Sequence, residues 1–146
     1  KLSKIAATNQ MWLHVDAAYA GNTFMLEEYQ YLLKGVDKAN SICINGNKWQ
    51  PVSENSGYFY FSDKQIMSDT FTQEASSIED FINYELYSRR MNKSIRLYTV
   101  MQSFGVDKYK EIVKRFLRAA KVFETRLRHS GKFNVLGAVD FALVCF

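Results

Sequence analysis

Two side chains that could act on one ligand follow the first two apolar segments of the chain. Segment 11–15 ends at Asp16, and segment Ser41–Asn45 is followed three residues later by Lys48. In an open α/β sheet, ligands bind outside the carboxyl ends of the strands. If the two segments are adjacent strands, we therefore expect Asp16 and Lys48 to face the same ligand.

A carboxylate paired with a lysine is what a pyridoxal cofactor requires. The carboxylate keeps the ring nitrogen protonated, and the amine holds the aldehyde as a Schiff base. The residues alone leave other interpretations open, because Asp16 also suits a turn or a helix cap and Lys48 a solvated surface. A facial metal triad is a further alternative, since His14 and Asp16 have the His-x-Asp spacing and His129 would be the third ligand.

Three short apolar segments predict the sheet that positions these residues. Segments 11–15, Ser41–Asn45 and Gly57–Phe61 are typical of strands, and the first is expected to be buried. A helical stretch at Glu27–Leu33 predicts a right-handed parallel crossover between the first two strands. The short connection to the third requires an antiparallel return. The fold class is therefore α/β, with a mixed sheet covered by helices.

The second half of the chain has a helical pattern. Apolar spacing predicts helices at 78–86, 95–104 and 107–129. The last of these helices is expected to bury one side, formed by Ile112, Phe116, Ala120, Phe123 and Leu127. Two strand-like runs follow, at 133–136 and 139–146. We place a domain boundary near Gly105, which gives units 1–106 and 107–146.

The composition indicates a folded domain and limits its partners. Hydrophobic residues make up 47% and aromatic residues 15% of the chain, which argues against disorder. The basic residues between 108 and 132 are spaced around apolar positions, so we expect a solvated helix face and no nucleic-acid partner. No apolar run approaches the roughly 18 residues of a membrane span. We expect a cytosolic protein without disulfides, and a sequence cut at both ends.

The local sequence resembles that of a known enzyme family. Residues 12–21, WLHVDAAYAG, resemble the aspartate motif of the group II pyridoxal-phosphate decarboxylases, in particular the aromatic-amino-acid and histidine decarboxylases. Residues 32–41 and 45–49, the latter NGNKW, are similar to the approach to the family's Asn-Pro-His-Lys-Trp lysine motif. The resemblance implies part of the large domain of an aspartate aminotransferase-like protein of fold type I, followed by the start of its small C-terminal α+β domain.

The resemblance also implies roles for particular residues. Asp16 would be the pyridinium partner, Ala18 would pack on the ring face, and Lys48 would form the Schiff base with pyridoxal phosphate. Asn47 and His14 are the other expected cofactor contacts, with His14 in the core. The implied activity is decarboxylation of an aromatic or histidine-like amino acid to its amine by a homodimer. This chain alone is expected to be inactive.

Two departures from the family pattern bear on that activity. Gly46-Asn47 replaces Pro-His before the lysine, and Asn47 can donate a hydrogen bond to a phosphate but cannot carry a charge. Segment 62–77 is short and lacks the tyrosine thought to protonate the carbanion in the family, and Phe71 and Thr72 are not comparable acids. Two alternatives therefore remain: a degenerate member kept for dimerisation or partner binding, and an enzyme of oxidative decarboxylation.

Overall fold

The computed structural model describes residues 1–52, 56–63, 65–66 and 94–146. Its helices and strands are α1 (Leu2–Thr8), β1 (His14–Asp16), β2 (Ser41–Asn45), β3 (Gly57–Phe61) and α2 (Ser94–Ser130). Short 3₁₀ segments connect them at Ala20–Met25, Glu27–Leu33, Val36–Lys38 and Gly46–Lys48. The predicted helix at 78–86 and most of segment 62–77 lie outside the described residues.

The three strands form one mixed sheet in the order β1-β2-β3. Strands β1 and β2 are parallel, with Asp16 opposite Cys43, and β3 returns antiparallel to β2. The predicted α/β class and the directions of all three strands are confirmed. Because parallel strands end at the same edge of a sheet, Asp16 and the turn after Asn45 lie at one edge.

Strand β1 differs from its prediction in position and burial. It spans His14–Asp16, so Asp16 belongs to the strand, and both His14 and Asp16 are exposed. Residue Leu13 gives its N–H to the Asn40 side chain at 2.8 Å, in place of a ladder partner. The strand therefore begins later than the apolar run, and the expectation of a buried strand was wrong.

The local helices also differ in kind from the predicted ones. Segment Glu27–Leu33 is helical as predicted, but it is a 3₁₀ helix. Its end is marked by Gly35 in the left-handed region at φ 88°. Helix α1 was not predicted; in it Ala6 is buried, whereas Leu2 and Ile5 are exposed.

Helix α2 is interrupted at Gly105, where φ is 70° and ψ is 166°. The bend falls at the predicted boundary, and the division into units 1–106 and 107–146 stays a prediction. The buried face of α2 was only partly predicted. Ala120 and Leu127 are buried, but Phe116 and Phe123 are 45% and 43% exposed.

The buried side of α2 is rotated slightly from the predicted one, so that it includes Tyr109 and Val113 and leaves Phe116 and Phe123 half-exposed. Tyr109 and Val113 pack with Leu26 and Trp49 in one buried cluster. The rings of Phe116 and Trp49 form a T-shaped contact at the border of this cluster, with their centroids 6.1 Å apart. The buried side of the helix is thus determined by the residues that pack on it, Leu26 and Trp49. Apolar spacing alone predicted the adjacent side.

The C-terminal runs do not form the predicted strands. Segments 133–136 and 139–146 are joined by one antiparallel bridge, Leu136 to Cys145. Between them Gly137 takes φ 70°, so the chain turns back after a single pair. Cys43 is half-buried and Cys145 exposed, and both are free thiols. Among the described residues, no helix combines the length and apolar character needed to cross a membrane.

Candidate active site

The Asp16 carboxylate is held at one of its two oxygens. Oδ1 accepts the Ala18 N–H at 3.0 Å and the Cys43 thiol at 3.4 Å. Within the described part of the chain, no hydrogen bond reaches Oδ2. The bond from Ala18, then the thiol of Cys43 and the nearby charges of His14 and Lys48, lower the pKa of Asp16, although slight desolvation opposes them. An ionised carboxylate with one free oxygen therefore stands at the edge of the sheet.

Lys48 lies on the tight turn that follows β2. The turn is closed by two backbone bonds of 2.8 Å, from Gln50 N–H to the Gly46 carbonyl and from Gly46 N–H to the Ser56 carbonyl. The Lys48 side chain is exposed. It is near enough to Asp16 for its charge to favour the ionised carboxylate.

Gly46, which stands where the family has proline, is built into this turn. Proline has no N–H and could not make the bond to Ser56. A Cβ at this position would lie 3.0 Å from Gln50 Oε1 and 3.1 Å from the Ser56 carbonyl. The departure from the family motif therefore belongs to a turn with its own hydrogen bonds.

A buried polar network supports the turn from below. Asn22 Nδ2 donates to the Asn45 carbonyl at 2.9 Å, and Gln50 Nε2 donates to Asn22 Oδ1 at 2.8 Å. Tyr58 OH donates to Gln50 Oε1 at 3.1 Å. Sequence reasoning missed this network. The available signal was the presence of Asn22 and Gln50 beside apolar segments, where a buried polar side chain must find a partner.

The other expected cofactor contacts lie along the same edge. Ala18 is half-buried, and its carbonyl accepts the Asn45 N–H at 3.1 Å, which ties the end of β1 to that of β2. Asn47 is half-buried, with a buried Oδ1 that accepts no hydrogen bond from the residues that the structure describes. That atom is an acceptor, so towards a phosphate Asn47 can offer only its Nδ2 hydrogens.

His14 is not the core residue that the motif implied. Its ring is exposed, stacks on Phe59 with centroids 5.5 Å apart, and pairs through Nδ1 with Ser41 Oγ at 2.7 Å. The alternation of the strand places it on the side of the sheet that carries Asp16. It therefore flanks the carboxylate and is open to a ligand.

The metal alternative does not find its ligands together. No group of three His, Cys, Asp or Glu side chains suited to a metal ion occurs among the described residues, which include all three proposed ligands. His129 lies near the end of α2, where its Nδ1 pairs with the Thr125 carbonyl at 2.8 Å. The His14, Asp16 and His129 triad is therefore not formed.

The residues at the edge fit a pyridoxal cofactor in two respects. The free Oδ2 of an ionised Asp16 can accept a ring N–H, and Lys48 offers an exposed primary amine to an aldehyde. Two such groups at the carboxyl ends of parallel strands are typical of a ligand-binding α/β protein. The pyridoxal-dependent decarboxylase conserved domain matches residues 1–146, and the chain belongs to this family. The family and the cofactor expected from the sequence are confirmed.

Relatives agree with this assignment. The chain is 30% identical over 156 residues to tryptophan decarboxylase 2 of Oryza sativa subsp. japonica, covering all of this chain and 31% of the relative. It is 32% identical over 154 residues to histidine decarboxylase of Homo sapiens, covering all of this chain and 23% of the relative. The solved 4-hydroxyphenylacetaldehyde synthase of Rhodiola rosea matches with a TM-score of 0.86 at 26% identity, over 98% of this chain and 30% of that one. The chain thus spans less than a third of the length of these relatives.

Proposed function

We propose that this chain contributes Lys48 and Asp16 to the active site of an enzyme that decarboxylates an amino acid with pyridoxal phosphate and releases the amine. The observation that carries the proposal is the position of both residues at one sheet edge, with Asp16 as the last residue of β1 and Lys48 in the turn that follows the adjacent parallel strand β2. Similarity to tryptophan and histidine decarboxylases supports an aromatic or histidine-like substrate.

Asp16 is the proposed partner of the cofactor's ring nitrogen. Its lowered pKa keeps the carboxylate charged at neutral pH, so Oδ2 can hold a proton on the ring nitrogen. When bound, the cofactor supplies the sink for the electron pair released as carbon dioxide leaves. His14, beside the carboxylate, adds a charge that favours its ionised form when the imidazole is protonated.

Lys48 is the proposed nucleophile for the cofactor's aldehyde carbon. The turn hydrogen bonds from Gly46 and Gln50 fix its backbone, while the exposed side chain is free to reach. Ala18 would pack on the ring face, and Asn47 would donate to the phosphate through Nδ2. From the resemblance we further propose a cytosolic homodimer, whose mass light scattering would measure.

Reductive trapping tests the assignment of Lys48. The full-length protein is incubated with pyridoxal phosphate, reduced with borohydride and digested, and the modified peptide is sequenced by mass spectrometry. We expect the pyridoxyl group on Lys48, loss of labelling in Lys48→Arg, and unchanged labelling in the matched exposed-lysine control Lys34→Arg. Labelling that persists on another lysine after Lys48→Arg would contradict the proposal.

A second candidate, aldehyde formation by oxidative decarboxylation, is favoured by the tyrosine-free segment 62–77. The structural similarity to an aldehyde synthase supports this second candidate. The two reactions differ in products, because the oxidative one consumes oxygen and water and yields aldehyde, ammonia, carbon dioxide and hydrogen peroxide. Amine without peroxide supports simple decarboxylation, and stoichiometric peroxide supports the oxidative route. Cofactor binding without release of carbon dioxide would indicate the degenerate member kept for dimerisation or partner binding.

A further inference from the structure

Cys43 contacts the key carboxylate, and neither the motif nor the proposed reaction uses it. It lies opposite Asp16 in the parallel pairing of β1 and β2. Its thiol donates to Asp16 Oδ1 at 3.4 Å, and its carbonyl accepts the Ala17 N–H at 3.0 Å. The strand register therefore places a hydrogen-bond donor beside the carboxylate.

The two hydrogen bonds that hold the Asp16 carboxylate are made to the same oxygen. The Ala18 N–H and the Cys43 thiol approach Oδ1 from β1's own continuation and from β2, respectively. Rotation of the carboxylate would break both bonds, since neither donor bonds to Oδ2. A carboxylate held in this way presents one defined oxygen to a ligand.

We propose that Cys43 is a positioning residue, whose thiol hydrogen bond orients the Asp16 carboxylate so that Oδ2 receives the cofactor's ring N–H. The inference rests on the proposed function of Asp16. The thiol touches no reacting atom and acts through Asp16 alone.

The electrostatics of the pair agree with this geometry. Burial first, and then the bond and charge of Asp16, raise the pKa of the Cys43 thiol, so it stays protonated and remains a donor at neutral pH. The same contact lowers the pKa of Asp16, after the larger effect of Ala18. The other charged groups that act on Asp16 are His14 and Lys48. The coupling can therefore be measured through the pKa of the thiol or through the pKa of the carboxylate.

Alkylation of the cofactor-free, full-length protein tests the contact without any enzymatic readout. Iodoacetamide reacts with thiolates, and peptide mapping separates Cys43 from the exposed Cys145, which is an internal reference. We expect Asp16→Asn to move the pH profile of Cys43 alkylation to lower pH. The same substitution at exposed Asp140, Asp140→Asn, should leave that profile unchanged. A Cys43 profile that does not respond to Asp16→Asn overturns the contact.

The positioning role is tested with Cys43→Ala and Cys43→Ser in the cofactor-loaded protein. Loss of the donor raises the pKa of Asp16, so the acid limb of turnover should move to higher pH in Cys43→Ala and return in Cys43→Ser, which keeps a donor. Melting temperatures separate this effect from unfolding, because a merely structural role would lower both variants' stability without moving the limb. An acid limb that is identical in all three proteins overturns the role.

Failure of the proposed function gives a different pattern. A protein that retains no pyridoxal phosphate refutes the function and the positioning role together, while the alkylation profile still decides whether Cys43 and Asp16 are coupled.

Discussion

Replacing Gln50 by methionine should loosen the turn that carries Lys48. The substitution keeps the length of the side chain but removes both polar atoms from the network below the turn. Asn22 is 2% exposed, so its Oδ1 loses a 2.8 Å bond with no access to water. Tyr58 keeps a second acceptor, Met101 Sδ at 3.4 Å. The cost is therefore that of one orphaned buried acceptor, about 2 kcal/mol within a range of roughly 1–3.

Hydrogen exchange measures this cost where it arises. A loss of about 2 kcal/mol in the free energy of local opening speeds exchange roughly 30-fold, since about 1.4 kcal/mol corresponds to tenfold. We expect that acceleration in peptides covering residues 41–50 of Gln50→Met, as followed by mass spectrometry. The matched control is Gln30→Met, at an exposed position, which should change exchange there by less than about 0.5 kcal/mol.

A double-mutant cycle separates the network from simple loss of packing. Asn22→Leu removes the other partner of the hydrogen bond between Asn22 and Gln50. In the double variant both polar side chains are gone, so neither is left buried without its partner. We expect the double variant to lose at least about 0.5 kcal/mol less than the sum of the single variants. Additive losses would show that Asn22 and Gln50 do not depend on each other, and the reasoning from the network would be refuted.

Three further substitutions test the packing and the site. Gly21→Ala should cost about 1–3 kcal/mol in thermal unfolding, because its Cβ would lie 2.6 Å from Ile44 Cγ1 in β2. Leu26→Ala should cost about 2–5 kcal/mol at a core position that is 1% exposed, whereas the same change at Leu2, 73% exposed, should be near neutral in the same assay. Asp16→Asn should reduce turnover per bound cofactor far more than cofactor occupancy, measured by absorbance. Because hydrogen bonds lower the pKa of Asp16, the wild-type turnover that depends on this carboxylate should be lost only on the acid side, as the pH falls through that pKa. Equal losses at Leu26 and Leu2, an unchanged melting temperature in Gly21→Ala, or unchanged turnover in Asp16→Asn would contradict the respective argument.

The hydrogen bond and the close packing within the turn explain why a glycine follows β2. Where the family motif has proline, Gly46 donates its N–H to Ser56 and approaches Gln50 closely. These contacts account for the sequence change structurally, so it is not by itself a sign of lost function. The absent tyrosine in segment 62–77 is a separate matter, which the product assays address.

Strand positions and strand directions could be predicted from the sequence because they depend on local pattern and connection length. Segments Ser41–Asn45 and Gly57–Phe61 were predicted with the bounds observed. The connection between β1 and β2 is long enough for a parallel crossover, and the connection between β2 and β3 is so short that it requires an antiparallel return. The strand directions were predicted from these two lengths. The motif around Asp16 and Lys48 likewise identified the family, since residue types at fixed spacing survive where overall identity is near 30%.

The buried side of α2, the start of β1 and the partners of Asp16 were decided by tertiary structure. Periodicity shows that a helix has an apolar side, but Phe116 and Val113 are both apolar, and only the position of the packing partner buries Val113. The side chain of Asn40, distant in sequence, bonds Leu13 and helps to set where β1 begins. Cys43 meets Asp16 because strand register brings together residues 27 positions apart. Such contacts depend on the relative placement of elements, which no local pattern encodes.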